Sequence, residues 1–388
     1  MQYDYWRDYD LTPRKQKIEN AFYKKVVKSA QEVPVIFNTG NYFGFGCVTR
    51  PKEYWEDPAA MLSIQSGFMD RHLKSVHDDM VPYFMPWFGT GVLASAFGCD
   101  VKPATGMGDD PGVLGHIVHD IKQASALKRP NLTKDGLCPQ VLRFMEYAME
   151  NGDLPVALTD LNSPMSTLAQ VIGYENLFTW MIEEPDIVKE LMALFTDTFI
   201  DWVKLLKNLT GEPLDCANAL QGVWSPKGTG VWISDDDLIS VGAELYAEFI
   251  VPEYRKLFMA FGGGSLHFCG AAAHHLQNFK DIGALTAINN CPMGKVEAFT
   301  KLCQNKPEAA MLQIQDSAPA EPENYYNALF SQIDDFKGMM VAGWVLDNVA
   351  MRQNGGYMEI SWNSIEAANR MVDAIRAAID NRLEGRTS

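Results

Sequence analysis

The stretch LHFCGAAAHH, residues 266–275, holds three of the seven histidines and one of the seven cysteines of the chain. His267 and Cys269 are two positions apart, a spacing that puts both side chains on one face of a strand. Imidazole nitrogen and thiolate sulfur both bind zinc, and a histidine can also move a proton. Three readings of His267 stand side by side: metal ligand, general acid, or a neutral histidine hydrogen-bonded at a strand end. His274 and His275 open a helix-like stretch and read as surface or interface histidines.

Other residue types able to do chemistry fall at the ends of apolar runs. TDLNSP brings Asp160, Asn162 and Ser163 together. Asp160 suits an acid or a metal ligand there, or a helix cap. WISDDDL places three acids after a strand-like run. Of these, Asp236 is the candidate acid or ligand, and a helix N-terminus is the competing reading. NYFGFG and YFMPWFG cluster aromatic rings that either pack or wall a flat apolar pocket. The residues expected to line such a pocket are Asn38, Tyr42, Phe43, Phe84, Trp87, Asn162 and Met165. GMGDDPG is a turn by its chemistry. Neither a GxSxG elbow nor a phosphate loop is present.

Composition narrows the partners. The 388 residues are 47% hydrophobic, enough for one large core or two. A formal net charge of −16 argues against nucleic acid and against an anionic membrane surface. No apolar run reaches the length of a membrane span, and the N-terminal stretch MQYDYWRDYDLTPRKQ has no secretory h-region. Seven scattered cysteines suit reduced thiols, and the expected location is the cytoplasm.

The elements that must position these residues alternate. Apolar runs at 33–40, 80–89, 154–164, 214–222, 265–270, 284–291, 309–317 and 357–362 read as strands, several of them continuous as buried parallel strands are. Amphipathic helices lie between them, most clearly over 185–211, where Pro185 suits the first turn and Gly211 the end. The last helix, NSIEAANRMVDAIRAAIDNRL, has Asn363 or Ser364 as its cap. About eight such units predict an α/β chain folded as a (β/α)8 TIM barrel over residues 31–388, with an N-terminal helical extension over 1–30. In a barrel the strand ends line one mouth, which is where the polar residues fall. An open doubly wound sheet is the competitor, but no GxGxxG follows the first strand.

The segments SPMSTLAQVIGYENLFTWMIEEPDIVKELMALFTDTFIDW, FGCDVK, WISDDDLISVGAELYAEFIVPEYRKLF and LHFCGAAAHHLQNFKDIG, taken in order, resemble the uroporphyrinogen decarboxylase superfamily over roughly residues 75–380. The resemblance implies a (β/α)8 barrel and two chemistries. One is cofactor-free decarboxylation. The other is methyl exchange with a corrinoid (cobalamin) protein. The decarboxylase branch carries an Arg-rich stretch after the first strand, whereas FNTGNYFGFGCVTR has Arg50 as its only basic residue. The expected function is therefore methyl transfer from a methyl ether, a methoxylated aromatic, to Co(I) of a partner corrinoid protein. The alternatives are methylcorrinoid-to-thiol transfer and decarboxylation. The thiol branch holds zinc by His-x-Cys and a distant Cys. His267 and Cys269 match the first two positions, and no cysteine follows Cys303. Glu359 is the carboxylate that could take the third place. Asp160 or Asp236 would orient His267 or share the metal.

Overall fold

The computed structural model describes residues 11–39, 52–102, 111–218, 224–290, 296–305, 311–352 and 356–385. Six parallel strands make one sheet: β1 (Val35–Thr39), β2 (Val231–Ser234), β3 (Gly264–Phe268), β4 (Leu285–Asn290), β5 (Met311–Ser317) and β6 (Met339–Val345). Their spatial order is β1-β6-β5-β4-β3-β2. Ser234 of β2, His267 of β3 and Asn289 of β4 stand side by side in register. β2 and β3 meet closely at their starts, where a Cβ on Gly230 would lie 1.6 Å from the Gly263 carbonyl oxygen. Gly230 also has φ +79°, so glycine is required there on both counts.

The expected strands at 80–89 and 154–164 are not regular strands. Phe84 forms an isolated parallel bridge with Val156, and Asn162 another with Ser234. Pro82, Pro86 and Pro155 have no N–H to donate, so a continuous ladder cannot form along these segments. The Asp79 N–H donates to the Val35 carbonyl at 2.8 Å, tying the first of them to β1.

Two further expectations are corrected. Within 214–222, Ala217–Asn218 pairs antiparallel with Trp224–Ser225, apart from the main sheet, and β2 begins beyond it. YMEISW is not the last sheet strand either. Its residues Tyr357–Glu359 (β8) pair antiparallel with Val349–Met351 (β7) in a two-stranded ribbon. The last sheet strand is β6, the apolar run MMVAGWV.

Helices flank the sheet. α1 (Thr12–Phe22) lies within the expected N-terminal extension and buries Ile18, Ala21 and Phe22. Its Lys17 pairs with Asp79 at 2.6 Å. α2 (Pro58–Ser75) sets the buried His72 between Asp78 and Thr39, with 3.0 Å to each. α3 (Cys138–Asn151) and α4 (Pro164–Ile172) follow, the second capped by Ser163. α5 (Pro185–Thr210) matches its expected span, with Pro185 in the first turn and Gly211 left-handed at φ 69°. It buries Val188, Leu191, Met192, Phe195, Phe199, Trp202, Val203 and Leu206, the three- and four-residue steps of one helical face. α6 (Val251–Ala260) follows a π-helical turn at Tyr246–Ile250. α7 (Ser364–Glu384) is capped by Asn363, which accepts from the Glu366 N–H, and packs on β1 and β6. No described helix is long and apolar enough to cross a membrane.

Candidate active site and metal centre

Three side chains converge beyond the ends of β2 and β3. Nε2 of His267 lies 3.6 Å from Sγ of Cys269 and 3.4 Å from Oδ1 of Asp236. The ligand atoms of all three lie within 4.8 Å of one another. The Cys269 N–H donates to Oδ1 of Asp236 at 2.6 Å, which fixes the carboxylate beside the thiol. The imidazole is buried, whereas Asp236 is 56% exposed, so the cluster opens on one side.

The imidazole is held on its other edge as well. Nδ1 lies 2.7 Å from the Asn289 amide oxygen, which can only accept, so Nδ1 carries the proton and Nε2 keeps its lone pair. The Trp232 indole stacks beside it, ring centres 5.7 Å apart and planes 12° from parallel. Burial pushes the His267 pKa down, against the pull of the Asp236 carboxylate and the Asn289 hydrogen bond. His267 is thus a neutral imidazole presenting Nε2 to Cys269 and Asp236.

This geometry fits zinc. Zinc–ligand bonds of about 2.0–2.3 Å at a tetrahedral angle set donor separations of roughly 3.4–3.6 Å. The observed 3.4 and 3.6 Å from Nε2 of His267 match, and the thiol and carboxylate lie within 4.8 Å of each other. A thiolate and a carboxylate balance the charge of a divalent ion. Three protein donors leave a fourth position open, as catalytic zinc sites require.

Behind the cluster lies Asp235, fully buried and turned toward the helices. The Tyr254 hydroxyl donates to its Oδ2 at 2.5 Å and the Ser166 hydroxyl to its Oδ1 at 3.1 Å. Burial pushes its carboxyl up to about 7, although both hydroxyls pull the other way. The next acid, Asp237, accepts from the Tyr174 hydroxyl at 3.2 Å, and burial raises its carboxyl too. Tyr174 borders a groove of about 610 Å³ that Thr90, His116, Gln170 and Asn176 also line. None of the three converging donors lines this groove.

The remaining expected site residues are placed unevenly. Asp160 and Asn38 are buried, each near the end of its strand or strand-like segment, and Asn162 bridges to Ser234 next to His267. Met165 and Trp87 are buried. Phe84 is a core residue: its ring lies against Gly152 at the end of α3, where an added Cβ would come within 2.6 Å. Glu359 is exposed on the β7–β8 ribbon, and the third member of the cluster is Asp236. Tyr42 and Phe43 lie outside the described residues. His275 is not a surface histidine but fully buried. Asn289 is one of the polar residues that the sequence places at a strand end, whereas nothing in the sequence singles out Trp232 or Asp235. Their roles arise from strand pairing and packing, which local sequence does not display.

These features belong to a recognisable family. Residues 14–290 match the uroporphyrinogen decarboxylase (URO-D) family model, and the chain belongs to that family. Among solved structures, a methyltransferase from Methanosarcina mazei is similar in fold. It is 17% identical with a TM-score of 0.64, over 94% of this chain and 98% of that one. No curated protein matches the chain.

Proposed function

We propose that this chain is a methyltransferase that moves a methyl group from a methyl ether, a methoxylated aromatic, to the Co(I) of a partner corrinoid protein. The reaction is set at the mouth of a (β/α)8 barrel. Six regular strands supply most of that barrel. The bridges Asn162–Ser234 and Phe84–Val156 and the Asp79–Val35 hydrogen bond support two irregular segments as the remaining staves. The observation that carries the reading is the convergence of Asp236, His267 and Cys269 on one point at the strand ends.

Displacement at the methyl carbon releases a phenolate. A free phenol has a pKa of about 10, so an unassisted phenolate leaves slowly. Zinc held by Nε2 of His267, Sγ of Cys269 and the Asp236 carboxylate would supply a Lewis acid for that charge. Asn289 holds His267 in the tautomer that can ligate, and Trp232 fixes its ring plane. The exposed side at Asp236 leaves room for the substrate and the incoming cobalt. Asn38, Tyr42, Phe43, Trp87, Asn162 and Met165 are assigned to holding the aromatic part, and Asp160 to orienting His267.

A second reading is transfer from a methylcorrinoid to a thiol. One observation favours it: Asp236 stands where it would supply the third ligand that a distant cysteine would otherwise have to provide. Mixing the protein with a reduced corrinoid protein and a panel of methoxyarenes tests the first reading. The cobalt spectrum should change from Co(I) to methyl-Co(III). An unchanged spectrum with every ether, together with methylation of an added thiol from methyl-Co(III), would select the second. Release of carbon dioxide from a substrate acid would overturn both.

A further inference from the structure

Burying a carboxyl away from water is costly unless its oxygens find partners. Asp235 is fully buried and has them, and they come from two helices. Ser166 belongs to α4 and Tyr254 to α6. The main chain of the same residue is tied as well: the Asp235 N–H donates to the His267 carbonyl at 2.8 Å. One step earlier, the Ser163 N–H donates to the Ser234 carbonyl at 2.7 Å. The exit of β2 is thus fastened to β3, to the start of α4 and to α6.

The helix that carries Tyr254 is shaped to reach it. In a regular α-helix, eight steps leave two side chains roughly 80° apart around the axis. The π-helical turn at Tyr246–Ile250 is wider and takes up most of that offset. Tyr246 and Tyr254 accordingly meet edge to face, with ring centres 6.2 Å apart. Burial and the Asp235 charge raise both phenols well above their ordinary values, so both stay protonated and able to donate.

We propose that Asp235 is a positioning residue for the Asp236–His267–Cys269 constellation, acting through its hydrogen bonds to Ser166 and Tyr254. Its neighbour Asp236 points the other way and accepts from the Cys269 N–H. Clamping residue 235 therefore sets where the 236 carboxylate stands relative to Nε2 of His267. Sites that bind metal lose affinity when the groups around their ligands are released, by about 10–100-fold. This inference rests on the metal reading for one of its tests and not for the other.

Three variants separate positioning from packing: Asp235→Asn, Asp235→Ala and Tyr254→Phe. Zinc affinity is measured by chelator competition, and amide hydrogen exchange of peptides 232–240 and 266–272 is followed in the metal-free protein. Asp235→Asn keeps an acceptor for Tyr254 and should stay within about threefold of the parent's zinc affinity. Tyr254→Phe should lose about tenfold and Asp235→Ala up to about 100-fold, with faster exchange in both peptides. Should Asp235→Ala fail to fold, Tyr254→Phe carries the test alone. Zinc affinity and local exchange equal to the parent's in a folded Tyr254→Phe or Asp235→Ala, whatever the shift in Tm, would overturn the proposal. If the parent chain binds no zinc, the metal reading falls, and exchange in Tyr254→Phe alone decides for or against Asp235.

Discussion

Nδ1 of His267 lies 2.7 Å from Oδ1 of Asn289, and this contact decides which nitrogen faces Cys269 and Asp236. Asn289→Ala should release the ring to take the other tautomer. Zinc affinity is expected to fall about 10–100-fold, with the fold of the chain retained. Nitrogen-15 shifts of His267 in the metal-free protein would report the proton leaving Nδ1. An unchanged tautomer in the variant would show that Trp232 alone sets the ring.

Zinc should bind at one ion per chain and be removed by a strong chelator with loss of methyl transfer. His267→Ala and Cys269→Ala should each lose metal and activity together, since each removes one of the two softer donors that zinc prefers to a carboxylate. Asp236→Ala should retain weak binding, because a water at this exposed position can replace the carboxylate. Elemental analysis after dialysis distinguishes the three. Full metal content in Cys269→Ala would remove the thiol from the site.

Substrate series probe the charge at the leaving oxygen. For the parent enzyme, rates on methoxyarenes should depend weakly on the pKa of the departing phenol. In His267→Ala the dependence should steepen, with the loss largest for the least acidic phenols. A loss of about 10²–10⁴-fold is the scale for one group assisting a leaving group. Equal losses across the series would mean that His267 does not act on that oxygen.

His275 predicts a pH dependence of stability away from the site. Its Nε2 lies 2.9 Å from the Leu238 carbonyl, and its Nδ1 lies 3.0 Å from the Asn278 side-chain amide nitrogen. A proton on Nδ1 would set a donor against a donor. Burial, the larger effect, takes the His275 pKa from 6.5 down to about 4. The unfolded chain thus binds the proton more readily than the native one. Stability from this group is present above about pH 6.5 and is lost as pH falls toward 4. Urea denaturation across that window should show stability falling with acidity, and the slope should flatten in His275→Gln.

Much of the scaffold was legible because apolar runs mark buried parallel strands whatever their neighbours. β1, β3, β4 and β5 fall within two residues of the runs that announce them, and α5 ends just before Gly211. β6 carries the same signal in MMVAGWV, yet YMEISW resembles a strand more closely because it alternates. Alternation is what a two-stranded ribbon with one wet face displays, and that is what it forms. At the site, His267, Cys269 and Asp236 were readable as chemistry-bearing residues at strand ends. Their meeting was not, because it depends on the register that sets Ser234 beside His267. Asn289 enters by the same route, across the next strand pair. Asp235 and Asp236 are alike in sequence and opposite in place, and only the packing of α4 and α6 against β2 tells them apart.

The three converging donors and the indole beside them all come from residues 232–269, one strand–helix–strand segment with its two outgoing turns. The rest of the sheet contributes support, chiefly Asn289. The would-be metal donors are thus confined to one contiguous stretch. A single local exchange of sequence could install them in a related chain or erase them, while the other staves, with their own strands and helices, stay as they are.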